Sequence, residues 1–321
     1  MTNSSQGYII QAFGDIHYKE LALACACSIR LNDPKRDICL LTDSLKDLPP
    51  YFHQVFTDIF ASSPSEPYDG SFSRKFILDQ ESPYGRNIHV DADCLLVRKG
   101  MNAFWERFAG LPACFPSQRK ESGTHWNGAI SIDNLIAKGL VDSVYLLNSG
   151  VFYYESSKSK SNRFFETVRS LYLSFLDDPS TGLSYFARPG QVSDEPIFGA
   201  AISRHPECSI PFDYRNLLQL TSPNTSMWSV DYVSSTFSAK KGGLHDTTGQ
   251  FIHFCEMTPL AHYLQGIIYY RSFFSLPVLI ASIGKNKELR ITLSTDALEQ
   301  ERSKLEKLPV ESARSLRLSP A

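Results

Sequence analysis

Over its first hundred residues the chain alternates short apolar runs with longer segments of helical character. Tyr8-Ile9-Ile10-Gln11-Ala12-Phe13 predicts a strand, ended by Gly14-Asp15-Ile16-His17. The Ala- and Leu-rich segment from Tyr18 to Leu31 predicts a helix that stops before the Asn32-Asp33-Pro34 breaker. Asp37 to Thr42 predicts the next strand, Phe52 to Phe60 a strand pair or strand–helix unit, Ser73 to Asp79 the start of a helix, and Asn87 to Val90 a further strand. Strands separated by helical segments of this length predict βαβ units, and hence a mostly parallel sheet with right-handed crossovers. Further on, Met101 to Phe108 reads as a short helix and Pro112 to Phe115 as a strand. Two apolar runs flank an Asn148-Ser149-Gly150 turn, and Ser159 to Phe175 is amphipathic with helical period. Ser193-Asp194-Glu195-Pro196 opens a helix through Ile202, with a capping serine and first-turn acids, and Gln250 to Cys255 is a late strand. From Gly284 the chain turns charged, with an Ala-Leu-Glu-Gln-Glu-Arg run of helical type.

At 321 residues, 42% hydrophobic and 21% charged, the chain has an ordinary globular composition and length enough for a large core. Its aromatic share, with Phe 21 and Tyr 15, suits an apolar-walled cleft. A net charge of −2 provides no global basic field for nucleic acid or anionic membrane. The seven cysteines (Cys25, Cys27, Cys39, Cys94, Cys114, Cys208 and Cys255) lie mostly in apolar segments, without the C-x-x-C pairs of zinc sites. That usage predicts free thiols in a reducing compartment. The segment Met1 to Gly7 is not a signal peptide, and no apolar run reaches the ~20 residues that span a bilayer, so a cytosolic protein is expected.

The chemistry concentrates at Asn87-Ile88-His89-Val90-Asp91-Ala92-Asp93-Cys94. Side chains alternate along a strand, so Asp91 and Asp93 share a face if the strand persists through them. If it ends at Val90, both lie on the loop at its carboxyl end, where open α/β sheets place ligands. Either way two hard oxygen donors converge, and a divalent cation such as Mg²⁺ or Mn²⁺ is the usual relief of their repulsion. A solvated strand end with two turn-forming aspartates is the plain alternative. The G-x-G-x-x-G turn of dinucleotide folds is absent.

Taken in order, these pieces resemble the family 8 glycosyltransferases and their relatives. Phe13-Gly14-Asp15-Ile16-His17-Tyr18 matches that family's opening loop, Leu41-Thr42-Asp43 its second-strand text, and Arg74-Lys75 its basic position. His89-Val90-Asp91-Ala92-Asp93 matches "YLDAD", Leu147-Asn148-Ser149-Gly150 matches "FNSG", Asp194-Glu195-Pro196 matches "DQD", and His253-Phe254 matches the late "HF". The resemblance covers about residues 8 to 260 and implies an A-type glycosyltransferase fold: α/β, with a mostly parallel central sheet and flanking helices. It implies a single domain over 1–262, with a nucleotide-sugar half at 8–110 and a donor-sugar and acceptor half at 111–262. Residues 263–321 then form a C-terminal helical extension and charged tail. The implied activity is metal-dependent transfer of a hexose, with retention, from a UDP-sugar to a glycan, protein, lipid or modified nucleobase acceptor.

In that reading Asp91, Asp93 and His253 hold Mn²⁺ or Mg²⁺, an imidazole among carboxylates favouring Mn²⁺ slightly. Nucleotide-sugar contacts fall on Phe13, Asp15, His17, Tyr18, Lys75, Asp91, Ala92, Asn148, Ser149 and Gly150. Asp15, His17 and Tyr18 are at base and ribose, Lys75 at phosphate or sugar. Asn148 and Asp194 read sugar hydroxyls, and Glu195 stands near the anomeric carbon where the family commonly has Gln. Each has a plainer reading: a packed strand histidine at 253, helix capping by Asp15, core packing by Tyr18, a solvated helix face at Lys75, and a first-turn acid at Glu195. His253-Phe254-Cys255-Glu256-Met257-Thr258-Pro259 lacks the family's Gly and Lys, a role Lys240 or Lys241 is placed to fill. That departure keeps open a non-catalytic nucleotide-sugar-binding scaffold of the same fold. The Asp-x-Asp after an apolar strand keeps open a haloacid dehalogenase-type phosphatase.

Overall fold

The computed structural model describes residues 6–46, 48–70, 72–125, 130–156, 162–177, 193–211, 217–222, 225–242, 245–255, 260–276, 278–283 and 289–294. In chain order the elements are β1 (Gln6–Gln11), α1 (Ile16–Asn32), β2 (Asp37–Thr42), β3 (Asp58–Ala61), α2 (Leu78–Glu81), β4 (Arg86–Asp91), β5 (Cys94–Leu96) and α3 (Asn102–Phe108). There follow β6 (Ala113–Lys120), β7 (Thr124–His125), β8 (Ile130–Ser131), α4 (Ile132–Ala137), β9 (Val144–Leu147), β10 (Val151–Glu155), α5 (Arg163–Asp177) and α6 (Asp194–Arg204). The remainder is β11 (Ser209–Ile210), β12 (Leu217–Thr221), β13 (Thr225–Asp231), β14 (Thr236–Lys241), β15 (His245–Thr247), β16 (Gly249–His253), α7 (Leu260–Ser272), β17 (Val278–Ile283) and β18 (Leu289–Ser294). The chain forms two compact units. The first comprises Met1–Ile9, Ala61–Val90 and Phe104–Phe212, the second Ile10–Phe60, Asp91–Ala103 and Asp213–Ala321.

In the first unit the strand order is β11–β6–β10–β4–β1, with β9 also on β6. β11 is parallel to β6, while β10 is antiparallel to both β6 and β4, so β4, β6 and β11 share one direction in a mainly parallel sheet. β9 is antiparallel to β6 as well, with Leu147 opposite Ser117, and β10 meets β6 further along, with Tyr153 opposite Cys114. The chain therefore keeps its direction through the Asn148-Ser149-Gly150 turn, which breaks a strand without reversing it. The break is closed locally: Asn148 Oδ1 accepts the Gly150 N–H at 3.0 Å, the habit that favours Asn in turns. α5 and α6 close an aromatic core in which Phe115 stacks on Phe152 at 4.6 Å between ring centroids and both touch Phe198 of α6. Aromatic pairs of this kind add to the large area they bury.

In the second unit α1 is buried from Lys19 through Ile29, the behaviour of a helix that is apolar nearly all round. β5 is only three residues long, and α1 side chains satisfy its backbone. Leu96 N–H donates to Ser28 Oγ at 2.9 Å, and Leu96 O accepts from Asn32 Nδ2 at 2.8 Å. β5 is antiparallel to β16, which is parallel to β12. β13, β14 and β15 form an antiparallel meander, and β17 pairs with β18.

Several elements depart from the pattern. Ser73–Ile77 is a tight 3-10 helix leading into the single turn of α2, and Pro50–Gln54 is a second 3-10 turn before β3. β6 continues past Phe115 through polar Gln118 to Lys120, because ladder pairing with β9 supports residues that propensity alone does not. The loop at 126–129, residues 256–259 after Cys255 and the charged run from 295 lie outside the described residues.

Gly199 sits in α6 where an added Cβ would lie 2.3 Å from the Tyr145 carbonyl oxygen of β9. A helix-interior Gly→Ala change ordinarily gains about 1 kcal/mol. Here the neighbour is backbone, so Gly199→Ala is expected to reverse that sign and cost about 1–3 kcal/mol in urea unfolding, as overpacking does.

Candidate functional site

The second unit carries the paired aspartates. Asp91 is the last residue of β4, Ala92 and Asp93 form a turn, and Cys94 begins β5. The strand does not persist through both aspartates; it ends one residue beyond Val90, so both carboxylates lie at its carboxyl end and are brought together by the turn between them, not by alternation. His253, at the end of β16, is opposite Cys94 in the ladder. Its Nε2 is 3.1 Å from Asp93 Oδ1 and 3.9 Å from Asp91 Oδ2. Phe254 N–H donates to the Asp93 carbonyl at 3.1 Å, which ties the turn to the strand that delivers the histidine. Burial works against charging the His253 imidazole, but the adjacent Asp93 carboxylate outweighs it and holds the ring's pKa well above its ordinary value.

Two carboxylates gathered around one imidazole suit a divalent cation: carboxylate oxygens and one nitrogen are donors for Mn²⁺ or Mg²⁺. Asp93, Cys94 and His253 also bring their ligand atoms within 4.8 Å of one another. Burial, then the charges of Asp93 and Asp91, push the Cys94 thiol well up, so the hard oxygens of Asp91 and Asp93 suit such an ion better than this sulfur does.

Asp15, His17 and Tyr18 stand at the start of α1. Asp15 caps the helix, accepting the His17 N–H at 3.0 Å, and that bond lowers its pKa. The His17 and Tyr18 rings lie 4.0 Å apart, and Tyr18 is 50% exposed, so it is not core packing. Phe13 is half-buried just ahead of them. Lys19, not singled out by the sequence pattern, is buried and pairs with Asp43 at 3.0 Å. The other Asp43 oxygen accepts the Gly14 N–H at 2.9 Å. Partial burial of Asp43 is outweighed by that N–H and by the Lys19 ammonium, which together lower its pKa. The only sequence signal for Lys19 was its place on the first turn after the loop.

The first unit carries the other predicted residues. Lys75 is buried, not on a solvated helix face, and its Nζ is 2.9 Å from Asp194 Oδ2. Ser149 Oγ–H donates to the same carboxylate oxygen at 2.7 Å. Asn148 Nδ2 donates to Glu195 Oε1 at 2.8 Å. The strand break at 148–150 and the start of α6 are therefore stitched together by Lys75–Asp194–Ser149 and Asn148–Glu195. Of the two lysines placed to replace the missing late motif, Lys241 is tied to Thr221, donating to its carbonyl at 2.8 Å and its hydroxyl at 2.9 Å.

The structural neighbours of this chain are glycosyltransferases. The bifunctional glycosyltransferase WbbM is similar with a TM-score of 0.51 at 11% identity, over 83% of this chain and 50% of that one. The galactosyltransferase LgtC, in complex with donor and acceptor sugar analogs, has a TM-score of 0.48 at 10% identity, over 81% of this chain and 95% of that one. This chain thus spans half the length of the WbbM chain. No protein-family model matches the sequence, and no curated protein sequence does. The fold is the A-type glycosyltransferase fold, mixed α/β with a mainly parallel sheet.

Removing one member of a buried ion pair strands the other without its hydration. Lys75→Met is therefore expected to cost about 3–5 kcal/mol in chemical denaturation. Adding Asp194→Asn to it should restore most of that loss, since the double variant buries no unpaired charge.

Proposed function

We propose that this protein is a metal-dependent glycosyltransferase that moves a hexose from a UDP-sugar to an acceptor with retention of anomeric configuration. The observation that carries the proposal is the convergence of Asp91, Asp93 and His253 in a glycosyltransferase fold. Those three residues would hold a divalent ion, Mn²⁺ by preference, which supplies Lewis-acid neutralisation of the donor diphosphate when bound. Asp15 and the His17–Tyr18 ring pair take base and ribose, an exposed aromatic face suiting a base and a carboxylate suiting an imide N–H. Phe13 and Ala92 border the nucleotide. Lys19, through Asp43 and Gly14, positions the loop that presents Asp15.

Asn148, Ser149, Gly150 and Asp194 serve the donor sugar, with Lys75 keeping Asp194 in place. Glu195 acts at the anomeric carbon. Its carboxylate is oriented by the Asn148 amide, which fits a group that stabilises developing positive charge on the sugar better than one that attacks it. The seven cysteines are all free thiols, which supports a cytosolic site of action. No described helix is long and apolar enough to cross a membrane. The β1–α1–β2 unit ahead of Asp91 disfavours the haloacid dehalogenase reading, whose motif opens its core.

Asp91→Ala and Asp93→Ala are each expected to abolish Mn²⁺-dependent release of UDP from UDP-glucose or UDP-galactose while leaving thermal melting in place. Full activity in EDTA after exhaustive dialysis overturns the metal role. A scaffold would release no UDP with any ion, and a phosphatase would prefer phosphomonoesters.

Glu195→Gln separates the two roles of the carboxylate. As a charge stabiliser its replacement costs roughly tenfold in rate, little over 1 kcal/mol of barrier, whereas loss of a nucleophile costs on the order of a thousandfold. Product configuration read by NMR checks retention, and a β-linked product from an α-linked donor sinks it.

A further inference from the structure

α7 begins where the sequence resemblance ends, yet it is packed into the second unit rather than appended to it. Its last turn is fixed to α1, where the fully buried Arg271 pairs with Glu20 at 2.7 Å. Its middle lies close against β5: a Cβ at Gly266 would stand 2.5 Å from Leu95 Cδ1 and 2.8 Å from the Tyr232 ring. Its first turn is held by Tyr232, whose hydroxyl donates to the His262 carbonyl at 2.7 Å.

These anchors set Tyr263 against the turn that carries the paired aspartates. Its fully buried ring lies 4.9 Å from that of Phe254, and Trp228 also stacks on Phe254 at 6.1 Å. Phe254 is the residue whose N–H holds the Asp93 carbonyl at 3.1 Å. The Tyr263 hydroxyl itself donates to the Ala92 carbonyl in a long bond of 3.4 Å. Both carbonyls of the turn are therefore held, that of Asp93 by Phe254 and that of Ala92 by Tyr263. In so short a turn the backbone decides where the carboxylates of Asp91 and Asp93 point. Tyr263 reaches the backbone of the turn, not the carboxylates, so its part is to orient rather than to ligate.

We propose that Tyr263 is a positioning residue for the Asp91-Ala92-Asp93 turn, which makes α7 part of the ion-binding machinery. The consequence for an ion rests on the metal reading above; the hold on the turn does not. Tyr263→Phe removes only the long hydroxyl bond and should raise the Mn²⁺ dissociation constant, read by EPR, about threefold. Tyr263→Leu also takes the ring away from Phe254 and should raise it about tenfold or more, as loss of groups that orient metal ligands does. Tyr172 of α5 is the control, since it too is buried and gives its hydroxyl to a backbone carbonyl, that of Pro67 at 2.9 Å. Tyr172→Leu should lower thermal melting at least as much as Tyr263→Leu and leave Mn²⁺ affinity unchanged. Amide hydrogen exchange on the metal-free full chain reads the turn without an ion: residues 92–95 should exchange faster in Tyr263→Leu than in wild type, and not in Tyr172→Leu. Unchanged exchange there overturns the hold on the turn, and so does a Mn²⁺ affinity that falls equally in both leucine variants or in neither. Wild-type protein that binds no Mn²⁺ overturns the metal reading and the ion-binding consequence with it, while exchange still decides the hold on the turn.

Discussion

Asp91 and Asp93 are set against a single imidazole where the chain leaves β4 and enters β5. Two like charges in so small a volume repel unless something positive shares it, and His253 is carried there by a ladder rather than by chance. β16 delivers the ring opposite Cys94, Phe254 N–H grips the Asp93 carbonyl, and Ser28 and Asn32 of α1 hold Leu96 so that three residues suffice for β5. Removing any of these contacts would free the turn to open and relax the repulsion. The geometry of the second unit thus maintains a concentration of negative charge that an unconstrained loop would disperse.

Among the described residues several buried charges are balanced in pairs. Lys75 pairs with Asp194, Arg271 with Glu20 at 2.7 Å, Arg169 with Asp79 at 2.7 Å, and Lys19 with Asp43. Buried pairs of this kind are weak evidence for stability, because desolvation offsets most of the attraction, yet breaking one is costly. Their value here is positional. Lys19–Asp43 shapes the loop before α1, and Lys75–Asp194 clamps the start of α6 to the strand break at 148–150. The aspartate pair differs in having two acids to one weak base, an asymmetry that fits the cation role proposed for it rather than a structural clamp.

Glycine and small residues govern how closely these pieces approach. Gly199 lets α6 lie against the Tyr145 carbonyl, and this approach brings Asp194 and Glu195 to Ser149 and Asn148. In the same unit the Tyr68 and Tyr172 rings meet at 5.7 Å and the Tyr172 hydroxyl donates to the Pro67 carbonyl, which ties α5 to the chain after β3.

Much of this was legible from residue pattern alone. β2 falls over Asp37–Thr42 as expected, α1 and α6 begin and end within a few residues of their predicted limits, and the Asp91/Asp93 pair was visible as two carboxylates one residue apart. These depend on local propensity, capping and hydrophobic period, which are properties of neighbouring residues. The partners of the key groups were not legible, because they lie far away in sequence. Lys19 with Asp43, Glu20 with Arg271, and Glu81 with Ser62 are joined only when elements pack, and nothing in their flanking text distinguishes them from surface charges. Asn148-Ser149-Gly150 reads as a turn between two apolar runs, and only the ladder pairing of both flanking strands with β6 decides that the chain keeps its direction through it. The sequence by itself determined which residues could carry the chemistry. Tertiary structure decided which charges are neutralised and which are left facing one another, since that depends on the register of distant strands and the burial they impose.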